Sequence, residues 1–530
     1  MFNNNKWLPL LMATCVAAGI WLGIWLKPAQ LNTKLFSSQG GKLQEVFSLL
    51  NSVYVDTIDT RSIEEKTIND MLTALDPHSV YMSIDDLKIA NEQLEGSFEG
   101  IGVEFSILED TITVISPIEG GPSYELGIQS GDKIVYVDTQ LVAGVSITNE
   151  QVFKLLRGPK GTEVKVKIAR HGSKQLIPYH ILRNTIPVKS IDASFMLDNK
   201  TGYIRVSRFA IDTYREFANA LKKLNATPGF SRLVVDLRGN PGGYLDAVVK
   251  MVDEVLPDKK LITYTKGRKQ PRHDYNASKK GIFEQGKLCV LIDESSASAS
   301  EIFAGAIQDH DRGTIIGRRS FGKGLVQEQF KLKDGSGLRL TVSRYYIPSG
   351  RSIQKPYNKG SVAYEHEIYN RYENGEVNDV NRSHIEDTLA YFTASGRKVF
   401  GGGGIMPDIF IPIDTTYRNV DVYEIMSRNL VRQFAALYVS QNRKKLLSYK
   451  TVAVFDRQHK EALYPLLIKY TQTQGINVSS SHQLQLAAPY LEKQAKAAIA
   501  RLLWNADGYY YILSIKDPAI SKAIEVMNKS

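Results

Sequence analysis

The chain is short of cysteine and histidine for its length, and each shortage excludes a class of chemistry. Two cysteines occur in 530 residues, Cys15 and Cys289, too few for a disulfide framework. One lies in an apolar leader and the other in an apolar run, so they are not expected to pair, and an oxidising location stays allowed. The nine histidines are dispersed, with no HExxH pattern and no close His-Cys-Asp group, so no metal site is expected. Clustered positive charge is also missing: the formal net charge is +10, but Lys and Arg are spread over all regions, so nucleic acid is not an expected partner. Hydrophobic residues at 43% and charged residues at 23% set disorder aside and leave a globular chain of about three or four units.

Charge is absent altogether from residues 7–26, between Lys6 and Lys27-Pro28. About 20 such residues suffice to cross a bilayer, and Trp7, Trp21 and Trp25 lie near the ends, where interfacial rings are favoured. No small-x-small cleavage site follows. Residues 1–30 are therefore expected to be an uncleaved membrane anchor rather than a signal peptide, with membrane as a partner through residues 7–26 and the rest of the chain outside the cytoplasm.

Residues 42–85 carry apolar positions at helical spacing, among them Val46, Leu49, Leu50, Val53, Ile68, Met71 and Leu75, and read as a small helical domain. Residues 86–182 change character. Glu99-Gly100-Ile101-Gly102-Val103-Glu104-Phe105 opens an alternating run, and Gly127-Ile128-Gln129-Ser130-Gly131-Asp132-Lys133-Ile134-Val135-Tyr136-Val137 follows. This unit resembles a PDZ domain. The resemblance implies that the turn at Gly100, Ile101 and Gly102 presents N–H groups to a peptide's terminal carboxylate while the peptide adds a strand. A structural sandwich without a ligand is the alternative, since turns need glycine for conformational reasons alone.

Residues 183–355 contain the apolar strand Leu233-Val234-Val235-Asp236-Leu237, then Arg238-Gly239-Asn240-Pro241-Gly242-Gly243 and a helical stripe from Tyr244. Glycines between a strand and a helix start point N–H groups at an anion. No lysine with serine or threonine follows in the phosphate-loop pattern, so an oxyanion role is the better use. Next, Leu288-Cys289-Val290-Leu291-Ile292 reads as a buried strand, and Ser295-Ser296-Ala297-Ser298-Ala299-Ser300-Glu301 lies where its connection enters a helix. Twenty-five residues beyond Ser298 stands Lys323, in Phe321-Gly322-Lys323-Gly324. A serine nucleophile needs a base, and a lysine serves when burial lowers its pKa. Helix capping is the plainer use of these serines, a solvated charge the plainer use of Lys323, and a Ser298–His310 pairing a further alternative.

Over residues 42–410 the chain resembles the carboxyl-terminal processing peptidases, the tail-specific proteases of serine peptidase family S41. The motifs are Leu75-Asp76-Pro77-His78-Ser79, the PDZ unit, Asp236 to Gly243, Ser296 to Glu301, and Thr314 to Gln327. The resemblance implies a multidomain α/β chain in which a PDZ domain stands beside a ClpP/crotonase-like Ser-Lys core, with helical N- and C-terminal parts. It makes Ser298 the nucleophile, Lys323 the general base and Gln327 the residue orienting the lysine, with N–H groups of Gly242 or Gly243 and of Ala299 as the oxyanion hole and Glu301 in support. It implies no cofactor, polypeptide substrates with exposed C-termini, an adaptor or a second copy as a further partner, and a place on the periplasmic side of the bacterial inner membrane, or in the periplasm if the leader is cleaved. A catalytically inactive PDZ scaffold is the other reading. Residues 356–415 are expected to be a polar, peripheral insertion returning to the core, where Phe400 to Asp408 resembles a late motif of Bacteroidetes-type members and its glycines serve close backbone packing. Residues 416–530 read as a helical accessory domain.

Overall fold

The computed structural model describes Thr14, Val16 and residues 41–278, 280–383, 389–476 and 482–529. The chain divides into Met1–Leu72 and Thr73–Ser530. In the first unit the helix Lys42–Val53 is followed by most of the helix Thr60–Thr73, and Thr60 Oγ1 donates to Asn51 Oδ1 at 2.7 Å.

In the second unit, the β region after residue 96 forms a six-stranded sheet whose core is Ile112, Val114, Ile134, Val164, Val166 and Ile168, all essentially inaccessible to solvent. Alternation along Glu163–Ala169 turns Val164, Val166 and Ile168 inward and Glu163, Lys165 and Lys167 outward. Among the described residues Val103–Leu108 pairs only with Thr111–Pro117 and so forms an edge of this sheet. Beside the sheet, the helix Asn149–Leu156 starts at Thr148, whose side chain accepts from Gln151 N in a reciprocal capping box.

A second six-stranded sheet is ordered Ile191–Met196, Thr201–Val206, Arg232–Asp236, Lys287–Ile292, Thr314–Gly317, Ile409–Phe410. Its first pair is antiparallel and the remaining pairs are parallel. Buried on both faces, the central strands are continuously apolar. Leu233, Val235, Leu288, Val290 and Ile292 face the helices Thr213–Asn225, Leu245–Asp253 and Ala299–Asp309. Val234, Cys289 and Leu291 face Ala519, Ile520, Ala523 and Met527 of the last helix, Pro518–Lys529. In the C-terminal part, expected as a helical accessory domain, helices between Val420 and Ser514 build a core of their own, while the last helix is the second covering layer of this sheet. Burial on this face pushes the Cys289 thiol up to about 12, which leaves it an inert apolar group.

The expected membrane anchor requires correction. A crossing helix needs about 20 nearly uncharged residues, and among the described residues no helix is long and apolar enough. The longest, Ala488–Ser514, carries Glu492, Lys493, Lys496, Arg501 and Asp507. Apart from Thr14 and Val16, the run at residues 7–26 lies outside the described residues. The membrane partner and the periplasmic, anchored location therefore have no structural support.

Candidate active site

Two parallel strand ends position the serine. Arg232–Asp236 leads into the turn Arg238 to Gly243, and Lys287–Ile292 leads through Asp293 to Ser298 at the start of Ala299–Asp309. Ser298 has φ 55° and ψ −113°, an uncommon conformation for a residue with a side chain. It puts a half-buried hydroxyl at a sharp strand-to-helix bend. The neighbouring serines are structural: Ser296 Oγ donates to Leu237 O at 2.9 Å, and Ser300 Oγ to Asn240 O at 3.0 Å. His310 ends the same helix with Nε2 at 2.7 Å from Leu261 O, which leaves it no part in a pairing with Ser298.

Both oxyanion candidates from the glycine turn are crowded against other backbone. A Cβ on Gly242 would stand 2.7 Å from Ser298 Cβ, and one on Gly243 would stand 2.0 Å from Phe209 O. They differ in their donors. Gly242 N–H donates to Asn240 Oδ1 at 2.9 Å, whereas Gly243 N–H and Ala299 N–H have no acceptor among the described residues. Asn240, wholly buried, also donates from Nδ2 to Val206 O at 2.9 Å and so fixes the turn.

Lys323 lies in the loop before the hairpin formed by Leu325–Lys331 and Gly337–Tyr346. Its Nζ donates to Gln327 Oε1 at 3.2 Å, and Gln327 Nε2 donates to His78 O at 2.5 Å. The motif at Asp76 to Ser79 therefore orients Gln327. Asp76 accepts from the backbone of His78 and Ser79, from Ser79 Oγ and from Thr341 Oγ1. Burial, and then the Arg339 charge, lower the lysine's pKa; Glu301 and Asp76 oppose the shift. Burial and the nearby Lys323 bring His78 down to about 4, so this ring is neutral at pH 7.

Glu301 joins the two halves. Its buried carboxylate accepts from Ser298 N at 2.8 Å, Ser320 Oγ at 2.5 Å, Gly322 N at 2.7 Å and Lys323 N at 2.9 Å. Burial nevertheless raises it to about 7. Tyr345 ties the same pair from the hairpin side, its hydroxyl donating to Ser298 O at 3.1 Å and to Lys323 O. The segment expected to be peripheral also reaches the lysine loop. From the helix Ser361–Glu373, Arg371 donates to the carbonyls of Arg319, Ser320 and Phe321. Lys355 Nζ lies 4.0 Å from the Phe321 ring centre and donates to Glu367. Gly403 O accepts from Arg319 at 2.8 Å, a close approach of the glycine run to this loop.

Ser298, Ala299, Gly242, Gly243, Lys323 and Gln327 line one cleft of about 1110 Å³. Gly100, Ile101 and Gly102 are elsewhere, beside the edge strand: Ile101 O accepts from Ser123 N and Gly102 O from Ile118 N.

Residues 200–363 match peptidase family S41, 100–178 match the PDZ domain and 422–505 match a family of unknown function, DUF8443. The carboxy-terminal-processing protease of Bartonella bacilliformis is 35% identical over 371 residues, 68% of this chain and 84% of that protein. The chain belongs to the carboxy-terminal-processing proteases of family S41. The processing protease CtpB of Bacillus subtilis is 34% identical over 62% of this chain and 68% of its own length. Among solved structures, the photosystem II D1 C-terminal processing protease is 25% identical, covers 70% of this chain and 86% of its own, and superposes with a TM-score of 0.38. As a family S41 protease with a PDZ domain, the chain is an enzyme that hydrolyses peptide bonds.

Proposed function

We propose that this protease is a Ser-Lys endopeptidase that selects substrates by their C-terminal tails. In this reading Ser298 Oγ attacks the scissile carbonyl, Lys323 Nζ takes its proton and passes it to the leaving amine, and the same lysine then activates the water that hydrolyses the acyl-enzyme. Gln327 holds the amine, and N–H groups of Gly243 and Ala299 receive the tetrahedral oxygen. The Glu301 carboxylate carries the reading: besides the capping-box bond from Ser298 N, it accepts from Gly322 N and Lys323 N, a tie between the serine and the lysine loop that a helix cap alone does not need.

The unpaired edge Val103–Leu108, next to Gly100, Ile101 and Gly102, supports docking of a tail as an added strand with its carboxylate at the turn. The parallel sheet with its strand-to-helix nucleophile supports a ClpP/crotonase-like core, and Phe400 to Asp408 supports a Bacteroidetes-type member.

The test is cleavage of an unfolded reporter with an apolar tail, as free acid and as terminal amide, by the parent, Ser298→Ala and Lys323→Ala. Faster cutting of the free acid and loss of cutting in both variants are expected. Cutting that survives Lys323→Ala removes the lysine from the mechanism, and equal rates on acid and amide remove tail selection. A parent that binds the tail without cutting it leaves the PDZ scaffold.

A further inference from the structure

Two guanidinium groups on the cleft wall have no carboxylate partner among the described residues. Arg208 follows the strand Thr201–Val206 and precedes Phe209, whose backbone pairs with Gly243 beside the oxyanion turn. Arg339 lies on the hairpin of Gln327, on the same face as that residue: Gln327 stands opposite Thr341 and Gln329 opposite Arg339. Both line the cleft that holds Ser298 and Lys323. Among the described residues Arg208 makes no side-chain hydrogen bond or ion pair, and Arg339 makes one bond, from Nη2 to Gln329 Oε1 at 3.2 Å. Both are partly shielded from solvent.

Other charges on this wall have partners. Arg205 meets Asp236 at 3.2 Å, Asp246 meets Lys250 at 2.6 Å, and Asp192 accepts from Ser207 Oγ at 2.9 Å. An arginine has five donors in a planar fork that matches a carboxylate, and sheltering it without an anion carries a desolvation cost. Such cations, left with free donors where an extended peptide must pass, are complementary to an acidic side chain.

We propose that Arg208 and Arg339 select polypeptide substrates carrying an aspartate or glutamate close to the scissile bond. The proposal rests on the reading of this cleft as the peptidase site. An incoming carboxylate takes two parallel N–H···O bonds from a guanidinium that otherwise keeps them unused. Because the cleft is partly closed, the attraction is screened less than on an open surface. The selection acts on the segment around the cut bond, separately from any recognition of the terminal carboxylate at Gly100 to Gly102.

The test uses the 530-residue chain and peptides that share one apolar tail and differ only by Glu or Gln, placed in turn at each position flanking the cut. For the parent, the best-placed Glu raises kcat/KM about tenfold over Gln, and added salt lowers this ratio. Arg339→Gln or Arg208→Gln brings the ratio toward one, and the charge reversal Arg339→Glu or Arg208→Glu turns the preference toward a Lys peptide. Binding of the same peptides to Ser298→Ala, followed by fluorescence anisotropy, reports the ratio without turnover. A parent ratio of one at every position, by rate and by binding, overturns the proposal, as does a preference for Glu that survives both glutamine variants. Cleavage that persists in Ser298→Ala overturns the Ser-Lys reading instead and leaves the Glu to Gln ratio measurable.

Discussion

The lysine loop and the seam between the PDZ domain and the C-terminal helices are held by opposite means. Around residues 319–324 the contacts are buried and charged: Arg319 with Glu376 and Glu367, Lys355 with Glu367, and Arg371 with Glu367 and three loop carbonyls. At the seam, Arg501 meets Glu104 at 2.7 Å with both side chains about a third exposed, and Ser116 Oγ lies 3.4 Å from Asn505 Oδ1. Buried, interlocked polar groups lose much when one member is removed, whereas part-exposed pairs lose little. The difference places rigidity at the loop of the proposed base, Lys323, and leaves the PDZ domain lightly tied to the C-terminal helices.

The largest expected effect comes from Arg371→Ala. It strips three carbonyls of their donor and leaves Glu367 with one cation fewer, a loss of about 3 kcal/mol in urea unfolding together with most of the cleavage activity. Arg371→Lys keeps the charge but not the fork, so it should recover stability more than activity. Equal recovery of both breaks the link between this network and the lysine.

Glu301→Gln sharpens the same half of the comparison. An amide keeps the volume but turns one acceptor into a donor facing N–H groups, and a misplaced lysine and serine lower kcat by about 100-fold. Its pH signature has a definite sign. The carboxyl stands at about 7 against an ordinary value of 4.5, so between those values the folded chain retains a proton that the unfolded chain has lost. This group therefore makes stability fall as pH rises through that window. Only the carboxylate accepts all four donors, so activity should rise over the same range. Urea midpoints across the window should slope downward for the parent and flatten in Glu301→Gln.

At the seam, Asn505 interrupts the helix Ala488–Ser514 at φ 54° and ψ −154°, next to Trp504 at φ −130°. That region suits glycine and strains any other residue. Asn505→Gly should stabilise the chain by about 1 kcal/mol, read as a shift in the urea midpoint, with no change in the rate on a short amidated peptide. A destabilised variant shows that the Ser116 contact outweighs the strain.

What was legible in the sequence was local. Ser298 and Glu301 share one helical turn, and Lys323 sits between glycines, but spacing left capping and a solvated charge open, and the resemblance to family S41 brought them forward. Alternation marked the β unit, and the continuous apolar strands marked a sheet covered on both faces. What stayed hidden was contact between distant segments. Asp76 acts on Thr341 and, through His78 O, on Gln327; Arg371 closes on a loop some fifty residues earlier; the last helix covers Cys289 and Leu291. No periodicity reports such meetings. The uncharged run at residues 7–26 satisfies the length rule for a membrane span, and among the described residues, which include only Thr14 and Val16 of that run, no helix is long and apolar enough to cross. Asn240 could have been found, since a buried polar residue inside a glycine turn must satisfy both its own amide and a neighbour's.

Arg501→Gln has the smallest expected effect and bears most directly on the comparison. Glu104 sits on the edge strand proposed to receive a tail, so the ion pair ties that strand to the helix carrying Trp504 and Asn505. Arg501 also stacks over Tyr509 at 5.7 Å, a contact that glutamine only partly replaces. Partial exposure holds the loss to about 0.5 kcal/mol, shrinking further with added salt. The rate on an amidated peptide should stay the same, while the advantage of a free-acid tail should shift by no more than about threefold if the tie is loose. A loss above about 2 kcal/mol, of the size that buried pairs give, makes the seam as rigid as the lysine loop, and tail docking must then occur without movement of the PDZ domain against the C-terminal helices.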